Sequence, residues 1–167
     1  MSIRFGILTV SDRSARGERP DLSGPALAEL IAAQGWKVER AAIVADDLVL
    51  LRETLSVWAD SSGLDVILTT GGTGFSPRDV TPEATRLVIE REAPGLAEAM
   101  RFESLKITPH AMLSRALAGI RGKVLIINLP GSPTAAQENL QVILPVLPHA
   151  VELLHDHPDS ERHHRNR

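Results

Sequence analysis

Apolar residues along this chain fall into two kinds of run that take turns. Short continuous blocks, "RFGILTVS" (Arg4–Ser11) and "LDVILTT" (Leu64–Thr70), carry no polar face and predict strands buried on both sides of a parallel sheet. "WKVERAAIV" (Trp36–Val44) predicts another strand between them. The segments between these blocks repeat at helical spacing instead. Leu27, Leu30 and Ile31 form one stripe; Leu48, Leu51, Leu55 and Trp58 form a second. Boundary residues agree. Pro25 suits a first helical position with Ser23 or Gly24 as cap, Gly35 a stop, and Asp46–Asp47 the entry to the next helix. Thr81–Pro82–Glu83 predicts a further start, with the Thr81 hydroxyl as cap, running to about Arg91. Another helix restarts after Pro94. "MLSRALAGIRGKVLIINLPGS" (Met112–Ser132) holds two β-like segments about the turn signal Gly119–Gly122. The closing stretch from Thr134 to Leu154 is helical, kinked or divided at Pro145 and Pro148.

Strands alternating with helices imply an α/β fold: a three-layer sandwich with a mostly parallel central sheet, helices on both faces and a β-hairpin segment. In such folds ligands sit beyond the carboxyl ends of the strands. That rule brings Ser11–Asp12, the Asp46 region, Thr69–Gly74 and Leu129–Gly131 to one rim. The domain is expected to span 1–154. Residues 155–167, with little to bury, are expected to form a disordered tail, and its His155, His157, His163 and His164 fit no ordered metal spacing.

Composition narrows the chemistry. A chain of 167 residues, 43% hydrophobic and 23% charged, is of a size and make-up for one globular domain. A net charge of −3 without a basic run argues against nucleic-acid or anionic-membrane partners, and 3% aromatics with no tyrosine against base stacking. With no cysteine there is no disulfide, thiolate metal site or thiol catalysis. The first residues do not read as a signal peptide, and no apolar run approaches the ~18 residues of a membrane span, so a cytoplasmic protein is expected.

The chemistry-bearing stretch is "LTTGGTGFSPRDVTPEAT" (Leu68–Thr85). Gly71–Gly72–Thr73–Gly74 follows the most apolar strand of the first half, where glycines permit positive φ and successive amides form an anion-binding concavity. No Gly-Lys-Ser/Thr follows, which excludes a Walker loop. Asp79 beside Arg78 offers a carboxylate for Mg²⁺ next to a guanidinium for phosphate; an exposed ion pair is the alternative. Asp12 and Asp46 or Asp47 reach the same rim, although aspartates before helices commonly serve as caps. Three loops each offering a carboxylate favour a metal–phosphate site. Ser114–Arg115 could add a hydroxyl and a guanidinium, and Pro130–Gly131 a second wall. His110 is the only histidine outside the last nineteen residues and no serine sits in a nucleophile elbow, so no Ser–His–Asp set is evident.

The chain resembles the Mog/MoaB family, the molybdopterin adenylyltransferases of molybdenum cofactor synthesis. The likeness covers nearly all of residues 3–154 and rests on "SDR" (Ser11–Arg13), "DLSGPAL" (Asp21–Leu27), "ADD" (Ala45–Asp47), "TTGGTGFSPRDVTPEAT" (Thr69–Thr85), "PGLAEAMR" (Pro94–Arg101), "AMLSRALAGIRGK" (Ala111–Lys123) and "LPGSP" (Leu129–Pro133). Its length resembles that of a stand-alone member. The resemblance implies that the terminal phosphate of molybdopterin attacks the α-phosphate of Mg·ATP, giving adenylylated molybdopterin and pyrophosphate. By motif, Asp46 and Asp79 take the places of the family's catalytic and metal-holding aspartates. Gly71, Gly72, Thr73, Gly74, Ser114 and Arg115 would line the pterin and phosphate region, and Ser11, Asp12, Pro130 and Gly131 would border the nucleotide. Ala45 stands where the family commonly has proline, and "MLSRALAGIRG" leans to the MoaB branch. The resemblance further implies a homotrimer or higher assembly and hand-over to a molybdenum-insertion protein. Two other functions share the motif: a molybdopterin carrier without turnover, and a nucleotide pyrophosphatase of CinA type.

Overall fold

The computed structural model describes residues 2–61 and 63–155. Its strands are β1 (Arg4–Val10), β2 (Lys37–Val44), β3 (Val66–Thr70), β4 (Arg91–Glu92), β5 (Ala118–Arg121) and β6 (Val124–Leu129). They form one six-stranded sheet in the order β2-β1-β3-β6-β5-β4. The first four in that order run parallel, and β5 and β4 add antiparallel pairs at one edge. The α-helices are α1 (Asp12–Ala15), α2 (Ser23–Ala33), α3 (Leu48–Asp60), α4 (Thr81–Val88), α5 (Pro94–Leu105), α6 (Pro133–Ile143) and α7 (Leu147–Leu154). The three-layer α/β arrangement with its hairpin is as the sequence pattern implies.

Alternate residues of each central strand serve opposite cores, which explains why these strands have no polar face. Phe5 and Ile7 of β1 pack with Leu27 and Ile31 of α2, Leu140 of α6 and Val151 of α7. Leu8 and Val10, one position out of phase, pack with Leu51 and Leu55 of α3 and Ala84 and Val88 of α4. Each such buried Leu, Ile, Val or Phe side chain contributes about 1.5–3 kcal/mol. Phe5 also stacks on Trp36, with ring centroids 5.6 Å apart.

Several element ends differ from the sequence expectation, each for a tertiary reason. α2 begins at Ser23, and its cap is the Asp21 carboxylate, whose Oδ1 accepts from the Ser23 and Gly24 amides at 3.1 and 3.0 Å. α4 has no side-chain cap. The Thr81 hydroxyl is buried and donates instead to the Gly71 carbonyl at 2.9 Å. That helix stops at Val88, because Arg91–Glu92 leave it to pair with Ile120 and Gly119 of β5. Gly119 is therefore inside a strand, and the hairpin turns at Gly122–Lys123. Pro145 and Pro148 do divide the closing helix, with a 3₁₀ turn over Leu144–Val146 between α6 and α7. His155 closes α7, with Nε2 3.1 Å from Asp65 Oδ1. The other expected tail residues, 156–167 with His157, His163 and His164, lie outside the described residues.

Candidate functional site

The strand order places the carboxyl ends of β1, β2, β3 and β6 on one rim, and the loop after β3 lies at its centre. Gly71 (φ +104°) and Gly72 (φ +65°) both occupy the left-handed region. A Cβ on Gly71 would collide with the Val10 carbonyl, and one on Gly72 with the Thr81 hydroxyl while approaching Asp46 Oδ1 to 2.9 Å. These two glycines therefore let the loop pass between β1 and the start of α4. The Thr81 amide donates to the Gly72 carbonyl at 3.2 Å and the Gly71 amide to Leu129 at 3.1 Å. Thr70 Oγ1 donates to the Pro130 carbonyl and Ser23 Oγ to the Gly131 carbonyl, each at 2.7 Å, which joins the β6–α6 loop to the same rim.

Beneath the loop lies a buried polar network that sequence reasoning missed. Asn128, fully buried, donates from Nδ2 to Thr69 Oγ1 and Thr85 Oγ1, both at 2.9 Å, and its Oδ1 accepts from the Leu117 amide at 3.3 Å. Thr85 Oγ1 in turn donates to the Thr81 carbonyl at 2.9 Å. The available signal was one amide side chain inside the otherwise apolar "VLIINL" of β6.

The two aspartates after β2 divide the work. Asp47 caps α3, accepting from the Leu50 amide at 2.8 Å, and this leaves Asp46 to the rim. Asp46 and Asp12 exchange two bonds: the Asp12 amide donates to Asp46 Oδ2, and the Asp46 amide to Asp12 Oδ1, each at 3.0 Å. Burial pushes the Asp46 carboxyl above the ordinary range against the Asp12 amide bond, and the nearby negative charges of Asp12 and Asp79 add to the rise. Asp12 is held low by its bond to the Arg78 guanidinium. Asp79 Oδ2 accepts from the Ser76 amide at 3.1 Å.

Arg115 lies outside the strands, and its guanidinium is engaged by the loop around Asp79. Its Nε donates to the Gly74 carbonyl and its Nη2 to the Asp79 carbonyl, each at 2.7 Å, and its Nη1 pairs with Glu83. Burial alone would raise the Glu83 carboxyl; the Arg115 bond, a backbone hydrogen bond and the charges of Arg115 and Arg86 together outweigh it and hold the group low. Arg115 thus fixes the backbone on both sides of Asp79 from behind.

Two cavities meet at the glycine loop. One, of about 420 Å³ and mostly polar, is lined by Ser11, Asp21, Asp46, Gly72, Asp79 and Gly131 among others. The other, of about 260 Å³ with mostly apolar walls, takes in Thr73, Gly74, Ile107, Leu113, Ser114 and Pro130. Of the residues singled out from sequence, Ser11, Asp46, Gly71, Gly72, Asp79 and Gly131 face the first, and Thr73, Gly74, Ser114 and Pro130 the second. Asp12 and Arg115 line neither. Among the described residues no group of three or more His, Cys, Asp or Glu could hold a metal ion. Asp46 and Asp79 both line the polar cavity, and their carboxylates are the kind of hard oxygen donor that Mg²⁺ takes, typically one or two of them with the rest of its shell from phosphates and water.

A mostly parallel sheet covered on both faces, with a glycine loop and paired aspartates at the carboxyl ends of its strands, defines an α/β ligand-binding domain of the open-sheet class. A family model described as "Probable molybdopterin binding domain" matches residues 6–149, and the chain belongs to this family. It is 43% identical over 158 residues to the molybdopterin adenylyltransferase of Helicobacter pylori (strain J99), covering 92% of this chain and 88% of that protein. It is 49% identical over 156 residues to the molybdenum cofactor synthesis protein cinnamon of Drosophila melanogaster, covering 93% of this chain but only 26% of that longer relative. The chain thus spans about a quarter of cinnamon. Among solved structures, the molybdopterin biosynthesis enzyme MoaB of Thermus thermophilus matches with a TM-score of 0.88 and 52% identity, covering 93% of this chain and 98% of that one. No helix among the described residues is long and apolar enough to cross a membrane.

Proposed function

We propose that this chain transfers the adenylyl group of ATP to the terminal phosphate of molybdopterin, within molybdenum cofactor biosynthesis. The observation that carries the reading is the placement of Asp46 and Asp79 at a glycine loop shared by a polar and an apolar cavity. The polar cavity, with Ser11, Ser14, Arg19 and Asp21 on its walls, suits a nucleotide and its phosphates. The apolar one suits a flat pterin, with Ser114 and the Gly74 backbone near its phosphate end.

In this reaction an oxygen of the pterin phosphate forms a bond to the α-phosphorus of ATP. The bond from that phosphorus to the bridging oxygen breaks, and pyrophosphate leaves with the electron pair. A phosphate monoester, with a second pKa of ~6, is largely a dianion at neutral pH and needs no general base. The demand on the protein is positioning and charge neutralisation. Mg²⁺ held by Asp46 and Asp79 would neutralise phosphate charge. The glycine loop admits a phosphate close to the backbone, and Arg115 keeps that loop and Asp79 from shifting. A homotrimer and hand-over of product to a molybdenum-insertion protein belong to the same proposal.

The test mixes purified protein with molybdopterin and α-labelled Mg·ATP. Labelled pterin with stoichiometric pyrophosphate is the expected result. Pterin binding without product would establish a carrier in its place, and nucleotide pyrophosphate hydrolysis without pterin would establish the CinA-type activity.

A further inference from the structure

Arg78 sits one residue before Asp79, yet its side chain leaves that loop. It forks onto Asp12 at the start of α1, with Nε–Oδ2 3.0 Å, Nη2–Oδ1 2.9 Å and Nη2–Oδ2 2.8 Å. Asp12 in turn exchanges two 3.0 Å amide-to-carboxylate bonds with Asp46, in the loop after β2. A continuous path of bonds therefore runs from the Asp79 loop through Arg78 and Asp12 to the Asp46 carboxylate. The Arg78 side chain is 65% exposed and that of Asp12 only 22%. Without Arg78, the less exposed Asp12 carboxylate would face Asp46, a second carboxylate, with no guanidinium fork to anchor it.

We infer that Arg78 is a positioning residue: acting through Asp12, it orients the Asp46 carboxylate and sets its span to Asp79. What that pair of carboxylates then holds rests on the proposed function. An exposed ion pair contributes little to global stability, so a purely structural Arg78 would leave both the fold and the rim unchanged when removed. A positioning Arg78 leaves the melting temperature near that of the wild type while loosening one particular bond.

The test compares wild type, Arg78→Ala and Arg78→Lys in two measurements. The first is hydrogen exchange of the Asp46 amide, followed residue by residue by NMR. Arg78→Ala should speed it about three- to tenfold, since the amide's acceptor loses its anchor. Arg78→Lys, which restores the charge but not the planar fork, should recover part of the protection. The second is calorimetric titration with ATP, with and without magnesium. Affinity for Mg·ATP should fall by a similar factor in Arg78→Ala, while affinity for metal-free ATP stays put. Unchanged exchange at Asp46 would overturn the inference. So would faster exchange with identical Mg·ATP affinity in all three proteins. Failure of the wild type itself to bind Mg·ATP would overturn the proposed nucleotide chemistry, and the exchange comparison would then decide Arg78 alone.

Discussion

Gly72→Ala is a sensitive probe of the rim, because two separate costs can be worked out for it. At φ +65° an L-residue loses about 1–2 kcal/mol relative to glycine. The new methyl would also meet the Thr81 hydroxyl, which now donates to the Gly71 carbonyl at 2.9 Å. Displacing that hydroxyl forfeits a buried hydrogen bond, a further ~1 kcal/mol. The total of about 2–3 kcal/mol corresponds to a fall in melting temperature of roughly 5–10 °C for a chain of this size. Gly122→Ala is the matched control, since Gly122 has φ +56° but nothing within 4 Å of a Cβ. It should cost only the backbone part, roughly 1–2 kcal/mol. Urea denaturation of both variants measures the difference. Equal losses at the two positions would refute the claim that the loop is packed against Thr81. Because a Cβ on Gly72 also approaches Asp46 Oδ1, Gly72→Ala should impair ligand binding, which Gly122→Ala should leave untouched.

Other expectations follow from single contacts. Asp65 is buried; burial alone would raise its carboxyl, but the Arg4 side-chain and backbone bonds outweigh that and hold it low. A carboxyl lowered on folding stabilises above its unfolded pKa of about 3.9, and the contribution is lost as pH falls through the lower folded value. Asp65→Asn should therefore cost about 1–3 kcal/mol at pH 7, and the gap to wild type should shrink below about pH 4 in acid titrations of unfolding. A gap that widened in acid would reverse this sign. Asp47→Ala should lose about 1 kcal/mol as a helix cap while binding ligand normally, which separates it from its neighbour Asp46. Equal effects of the two alanine substitutions on Mg·ATP binding would contradict that division.

Much of this architecture is legible from local pattern. Strands β1, β3 and β6 announce themselves because both faces are buried, so no polar alternation obscures the apolar block. The rim also follows, since parallel strands put their following loops on one side. What local pattern lacks is the partner. Asp46 and Asp47 look alike in sequence, and only the helix start at Leu48 turns one into a cap. Thr81 has the residue type of a cap, yet the helix already includes it, and its buried hydroxyl donates to the Gly71 carbonyl rather than accepting from a helix amide. Arg78 lies within the motif and Arg115 well beyond it, and their acceptors lie 66 and 32 to 41 residues away along the chain. Strand β4 has two residues and no pattern of its own; its pairing with β5 creates it.

Asp79, with Asp46, is proposed to support adenylyl transfer without being needed to bind the pterin. Single-turnover assays of wild type and Asp79→Asn, with saturating molybdopterin and α-labelled Mg·ATP, test it most directly. Transfer to the pterin should slow by roughly 10²-fold or more, in the range seen when one electrostatic element is lost from other active sites, while pterin affinity is retained. Wild-type turnover in purified Asp79→Asn protein would contradict it.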